Sequence, residues 1–179
     1  MVSDRGILYA CAVLRSLGTS LLGVLLGIYL AKLQFAPAAV GLIVGVGLAG
    51  GAAAALLVTI AGDRFGRRKM LLALALLGAL GTSVVATSTQ FVVLATAAFV
   101  GMLNGMGRDR GAALVVEQAV LPATATPEQR TSAFAVYHLL QDIGHALGSL
   151  LAGAPFLLQR WGGVAELPSL RAGLGLYAA

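Results

Sequence analysis

The chain has 179 residues, of which 59% are hydrophobic and 11% charged, with a net charge of +5 and a mean hydropathy of +0.92. Soluble domains carry about 25% charged residues, so these proportions exclude a water-soluble globular domain and make the bilayer the solvent. The basic excess is not a nucleic-acid footprint, because four of the twelve Lys and Arg residues crowd into one turn and no basic and aromatic residues interleave.

The first apolar run covers residues 6–31, behind Arg5. It is far longer than the ~7–15 residues of a signal-peptide core and no small-x-small cleavage site follows it, so it reads as a retained span. Cys11, the one cysteine, lies in this run and cannot form an internal disulfide. Arg15 sits about nine residues in, deep enough to need a polar surrounding.

Residues 38–61 form the second run. Gly45, Gly47 and Gly50 fit G-x-G-x-x-G, but a dinucleotide site needs a strand before the motif and a soluble βαβ unit around it. The small-xxx-small pairs Gly41/Gly45, Gly47/Gly51 and Gly101/Gly105 instead predict close helix packing.

Residues 62–69 hold five charges in seven positions, from Asp63 to Lys69, before a third run at 70–87 that carries no charge. A fourth run, 91–121, contains Arg108, Asp109 and Arg110 near its middle. Each charge costs roughly 2.5–3.5 kcal/mol at the centre of a membrane helix. Either the helix ends near Gly107 and the charges form a loop, or it continues to Leu121 and they face a polar cavity. The second alternative is the working expectation, because Ala112–Val116 is good membrane sequence and 122–127 is a natural loop. Arg108 shares a helical face with Asn104, and Arg110 with Glu117, which near the cytoplasmic end is open to solvation.

The fifth run, 131–158, carries His138, Gln141, Asp142 and His145 at three- and four-residue spacing, so they share one face. Arg110 lies eleven residues before Leu121 and Asp142 eleven after Thr131, which puts both about 17 Å from one membrane face in antiparallel neighbours. An ion pair or water bridge from Arg108 or Arg110 to Asp142 is therefore expected. A last apolar stretch starts at Arg171 and, at nine residues, is too short to span.

Continuously apolar runs do not fit a β-barrel, whose strands alternate, and only helices satisfy their own backbone in lipid. The expected fold class is therefore all-α, a polytopic membrane helix bundle with five complete spans and the start of a sixth, in one membrane domain over 1–179. The positive-inside rule places Arg5, Arg64, Arg67, Arg68, Lys69 and Arg130 on the cytoplasmic side, against Lys32, Arg160 and Arg171 outside.

The turn from Thr59 to Leu71 resembles the loop between the second and third helices of major facilitator superfamily transporters, whose pattern is roughly G-x-L-A-D-R-x-G-R-R-x-x-L. Asp63, Arg64, Gly66, Arg67, Arg68 and Leu71 or Leu72 match, whereas Thr59, Ala61 and Gly62 depart from the pattern. The resemblance implies a secondary active transporter of two six-helix halves rocking about a midplane site, of which this chain would be an N-terminal fragment ending inside its sixth helix. It implies that the missing C-terminal half is a partner, and that the first and fourth helices line the path while the third faces lipid. It implies that Asp63, Arg64, Gly66, Arg67 and Arg68 act as a conformational latch rather than touching substrate. Gly144, Gly148, Gly153 and Pro155 loosely resemble a glycine-rich signature of exporters, from which Ala154-Pro155-Phe156 departs.

Together these readings predict movement of a small polar or anionic solute by alternating access, with an electropositive path and proton coupling among the acidic and imidazole groups. Path or coupling residues are expected among Arg15, Asn104, Arg108, Asp109, Arg110, Glu117, His138, Gln141, Asp142 and His145. The alternatives are a channel-like or scaffolding membrane protein without transport, or an inactive truncated product. A membrane-embedded enzyme would need more than His138, Asp142 and His145, since no Cys cluster, H-E-x-x-H or Ser/His pair accompanies them. No enzyme activity, cofactor, metal or nucleic-acid partner is expected. The expected place is a bacterial inner membrane, N-terminus cytoplasmic.

Overall fold

The computed structural model describes residues 4–103, 105–107 and 111–178, apart from the side chains of Ala61 and Asp63. All regular structure among them is helical: α1 (Asp4–Lys32), α2 (Pro37–Phe65), α3 (Arg67–Thr87), α4 (Phe91–Val100), α5 (Ala112–Val120), α6 (Arg130–Leu151), α7 (Ala154–Gly162) and α8 (Glu166–Ala178). Two short 3₁₀ turns, Leu121–Thr124 and Pro127–Gln129, connect α5 to α6.

Three segments are long and apolar enough to cross a membrane: Asp4–Lys32, Pro37–Ile60 and Arg67–Thr87. α1 carries Asp4 in its first turn and Lys32 in its last, each complementing the helix dipole. α2 opens on Pro37, whose missing N–H costs nothing at a helix start. The expected loop at 62–69 is instead helical on both sides of a single residue, Gly66, whose φ of +84° is open to glycine at little steric cost. One residue therefore reverses the chain from α2 into α3.

The fourth run is not the continuous helix expected over 91–121. α4 stops at Val100 and α5 starts at Ala112. Between them Met102 (φ +53°) and Gly107 (φ +68°) are left-handed. Gly101, Gly105, Gly107 and Gly111 explain the break, because each glycine costs a helix about 1 kcal/mol. Protein covers the start of this non-helical stretch, where Leu103 is fully buried and its N–H donates to the Ala98 carbonyl at 2.9 Å, whereas Met106 is exposed.

The fifth run also divides, contrary to the continuous span expected at 131–158. Pro155 lacks an N–H and its ring would strike the carbonyl four residues back, so α6 ends at Leu151 and α7 begins after Gly153. The last helix starts at Glu166, five residues before the expected Arg171.

α1 is the axis of the bundle. It packs most extensively on α6 and also meets α8, while α4 lies between α2 and α3. The main core gathers Leu21, Leu25, Tyr29, Leu94, Leu103 and Leu170. A smaller cluster of Leu8, Ala12, Leu121 and Tyr137 underlies the 3₁₀ turns.

Candidate functional site: a buried ion pair between three helices

α6 reaches α1 so closely because it presents Gly144 and Gly148. A Cβ at Gly144 would lie 2.6 Å from the Val13 carbonyl oxygen, and one at Gly148 would collide with the Leu17 carbonyl oxygen. This is small-xxx-small packing, in which absent side chains let backbones touch. Of the three glycine pairs expected to pack closely, Gly101 and Gly105 do, against Gly81 and Val44; Gly47 presses on the Leu103 carbonyl while its partner Gly51 faces open space, as do both Gly41 and Gly45. The G-x-G-x-x-G stretch lies inside the continuous α2 helix and has no strand before it.

The close α1–α6 contact holds Arg15 of α1 beside Tyr137 of α6, and α5 adds Glu117. Arg15 Nη2 donates to Glu117 Oε2 at 2.6 Å and Arg15 Nε donates to Oε1 at 3.2 Å, a two-pronged grip that matches guanidinium to carboxylate. The Tyr137 hydroxyl donates to Glu117 Oε2 at 2.7 Å and accepts from Arg15 Nη2 at 3.1 Å. Glu117 is 2% exposed and Tyr137 fully buried. Each group thus satisfies the others where no bulk water reaches the carboxylate. Removing one partner of such a pair costs about 3–5 kcal/mol, because a desolvated charge is left behind.

This geometry corrects the expectation that Glu117 is solvated. The 3₁₀ turns tuck under it, with Leu121 fully buried, and Arg5 fastens them by donating through Nε to the Thr124 carbonyl at 3.1 Å. Asn104, Arg108, Asp109 and Arg110 lie outside the described residues, and with them the expected pairing to Asp142.

The fifth-run stripe is split rather than shared by one buried face. Gln141 is buried and bonded to His138 across 3.1 Å, Oε1 to Nδ1; His145 is half-buried; His138 and Asp142 are exposed. His138 stacks on Phe134 and meets Tyr137 edge-on. Among the latch residues, Arg64, Gly66, Arg67 and Arg68 are exposed at the α2–α3 reversal, and the Asp63 side chain lies outside what is described.

Tyr137 escaped the sequence reading. Its signal was position, since it falls four residues before Gln141 and four after Ala133 on the face that turned out to be buried. Two hollows flank Arg15: one of about 90 Å³ against Thr19 and Met102, and one of about 400 Å³ against α3, α5 and α8. Among the described residues, no group of three or more His, Cys, Asp or Glu side chains could hold a metal.

The Major Facilitator Superfamily profile matches residues 8–176, nearly the whole chain. The chain belongs to the Major Facilitator Superfamily. As a member of that superfamily, with apolar helices of spanning length, it is an integral membrane protein. It is also similar to an uncharacterized membrane protein of Saccharomyces cerevisiae, YJR124C, with 26% identity over 150 residues. That alignment covers 84% of this chain and 34% of the yeast protein, so the chain spans about one third of its relative's length. No solved structure matches. The yeast source of the relative lends no support to a bacterial membrane.

Proposed function

We propose that the chain is part of a secondary transporter that moves a small polar or anionic solute by alternating access, with proton movement linked through Glu117. The observation that carries this reading is the Arg15–Glu117–Tyr137 triangle, which joins α1, α5 and α6 inside a membrane domain. Intramembrane ionisable groups are expensive and are kept for ion and substrate paths. This one has two states by construction. An ionised Glu117 locks Arg15, and a protonated Glu117 loses the charge that holds the guanidinium, so one proton decides whether three helices stay tied.

The exposed His138 and Asp142 on α6 suit a watered passage rather than lipid. Alternating access also needs a second helical bundle, which the greater length of the yeast relative would accommodate. We place the N-terminus, the α2–α3 reversal and the start of α6 on the cytoplasmic side. Arg5, Arg64, Arg67, Arg68, Lys69 and Arg130 cluster there, and the Arg5–Thr124 bond joins two of these regions directly. In this reading the reversal around Gly66 is the latch that re-pairs its charges as the bundles rock.

The test uses the full-length transporter that contains this chain, in liposomes loaded with the pH indicator pyranine. A panel of radiolabelled sugars, amino acids and carboxylates is added under an imposed pH gradient. Uptake of at least one solute with a matching proton flux, lost in Glu117→Gln, is expected. Solute flux that ignores both the gradient and Glu117→Gln would reject proton coupling here and favour a channel-like protein.

A further inference from the structure

The α2–α3 reversal concentrates charge at one level of the membrane. The apolar span of α2 ends at Ile60 and that of α3 begins at Arg67. Arg64 lies four residues past Ile60, about 6 Å further along at 1.5 Å per residue. The headgroup layer on each side of a bilayer is about 5–8 Å deep. Arg64, Arg67, Arg68 and Lys69 therefore stand at the depth of lipid phosphates rather than out in bulk solvent. One acid, Asp63, accompanies these four cations in the stretch. Among the described residues, no carboxylate pairs with Arg64, Arg68 or Lys69. The first turn of α3 also lacks an acid, so its cations sit against the positive end of the helix dipole and an anion would relieve them.

An apolar groove lies beside the cluster. It has a volume of about 220 Å³ between α2, α3 and α5. Val58 and Val116 form its buried floor, and Thr59, Val115 and Ala119 its exposed rim. Arg67 joins that rim from the charged side. At about 30 Å³ per water-sized group, the groove takes roughly seven methylenes. Ile60 and Phe65, next to the cluster in the chain, are apolar and exposed as well. Among the described residues, none from α8 lines the groove. Where α8 brings Tyr177 against α3, it does so at Gly78, about 13 Å further along than Lys69.

We propose that the α2–α3 reversal binds an acidic phospholipid, with its phosphate among Arg64, Arg67, Arg68 and Lys69 and part of one acyl chain in the groove between α2, α3 and α5. Clusters of basic residues immediately beside a membrane span attract acidic headgroups. Four cations within six consecutive positions sum into one field, whichever of them touches the phosphate. A free anion such as inorganic phosphate would use the charges and leave the groove empty. A lipid matches both surfaces, and the depth of the cluster puts it where lipid phosphates already are.

The experiment uses the full-length transporter that contains this chain, purified in dodecyl maltoside. A phosphatidylglycerol with a photoreactive diazirine on one acyl chain is added and irradiated, and the labelled peptides are mapped. Labelling within 58–62 and 115–119 is expected. Unlabelled phosphatidylglycerol should displace it, whereas equal phosphatidylcholine or millimolar inorganic phosphate should not. Added salt should weaken labelling severalfold, because it screens exposed charges. Combined Arg64→Gln, Arg68→Gln and Lys69→Gln should reduce it about tenfold or more, and combined Arg64→Lys and Arg68→Lys should keep it. Thr59→Trp, which fills the groove at its rim and leaves the cations in place, should abolish groove labelling with a melting temperature near the parent's. Arg160→Gln, which removes an exposed cation of α7, should change nothing.

Equal labelling by the matching phosphatidylcholine probe overturns the proposal. Displacement by inorganic phosphate does so too, because the site then belongs to a free anion. Labelling that survives Thr59→Trp, or that maps wholly elsewhere because another part of the transporter covers the groove, is equally fatal. If the triple Gln variant fails to fold, the salt response and Thr59→Trp decide. Flux of any solute, or of none, bears on none of these outcomes, so the transport reading stands or falls separately.

Discussion

Two ion pairs hang from the same helix, α1, and have opposite surroundings. Lys32 Nζ meets Glu166 Oε1 of α8 at 2.7 Å, with the two side chains 46% and 42% exposed. Arg15 meets Glu117 at 2.6 Å, with exposures of 18% and 3%. The contact distances are nearly equal, so distance alone does not rank them. Water screens the outer pair, which pins the end of α8 to the end of α1 and can break and reform at little cost. The inner pair has little such exchange, since both side chains are largely buried and Tyr137 bridges them. Burial makes the inner pair costly to break, and through Tyr137 it ties three helices where the outer pair ties two.

Substitutions that treat the pairs alike should separate them. Glu117→Ala should destabilise the folded protein by about 3–5 kcal/mol, because it strands a desolvated guanidinium; thermal unfolding in detergent measures this. Tyr137→Phe removes one donor to a charged group and should cost about 1.5–3 kcal/mol by the same assay. Gly148→Val tests the packing beneath the pair. It should cost about 1–3 kcal/mol by pushing α6 off the Leu17 carbonyl, and should loosen the Arg15 grip without touching it. Glu166→Gln at the outer pair should cost no more than about 1 kcal/mol, and added salt should shrink that further. A loss at Glu166→Gln as large as at Glu117→Ala would end the distinction.

The smallest effect belongs to Glu128, in the 3₁₀ turn before α6. Its own backbone N–H and the Thr126 hydroxyl donate to the carboxylate and hold its pKa below the ordinary 4.5. The folded form therefore prefers the ionised group. The stabilisation is fully present above the unfolded-state pKa and fades as pH falls through the lower folded value. Thr126→Val should move the Glu128 titration back up toward the ordinary value, as read by NMR of carboxyl-labelled glutamate.

The sequence reading located much of this and missed its wiring. Composition and run length were enough for an all-helical membrane bundle, because lipid leaves the backbone no other choice over continuous apolar stretches. The α2–α3 reversal was legible from Gly66 and its basic neighbours, although the chain needs one residue there and not eight. Run length could not show the breaks. Glycines at 101, 105, 107 and 111, and Pro155, weaken helices by amounts that hydropathy does not register. Arg15 and Glu117 were both singled out, but their pairing was not. Depth was counted along an unbroken fourth helix, which left Glu117 near the membrane edge, while the pairing expected for Asp142 falls on Arg108 and Arg110, outside the described residues. Tyr137 was not singled out at all and proved to be core and hydrogen-bond bridge at once.

The most direct test of the buried pair as the coupling element compares Glu117→Gln with Glu166→Gln in pyranine-loaded proteoliposomes. Once a transported solute is identified from the panel, its uptake and the accompanying proton signal are measured for both variants. The account predicts that Glu166→Gln keeps both signals near the parent's level, while Glu117→Gln loses the dependence on the pH gradient. Gradient-driven uptake in Glu117→Gln equal to that of the parent would contradict it.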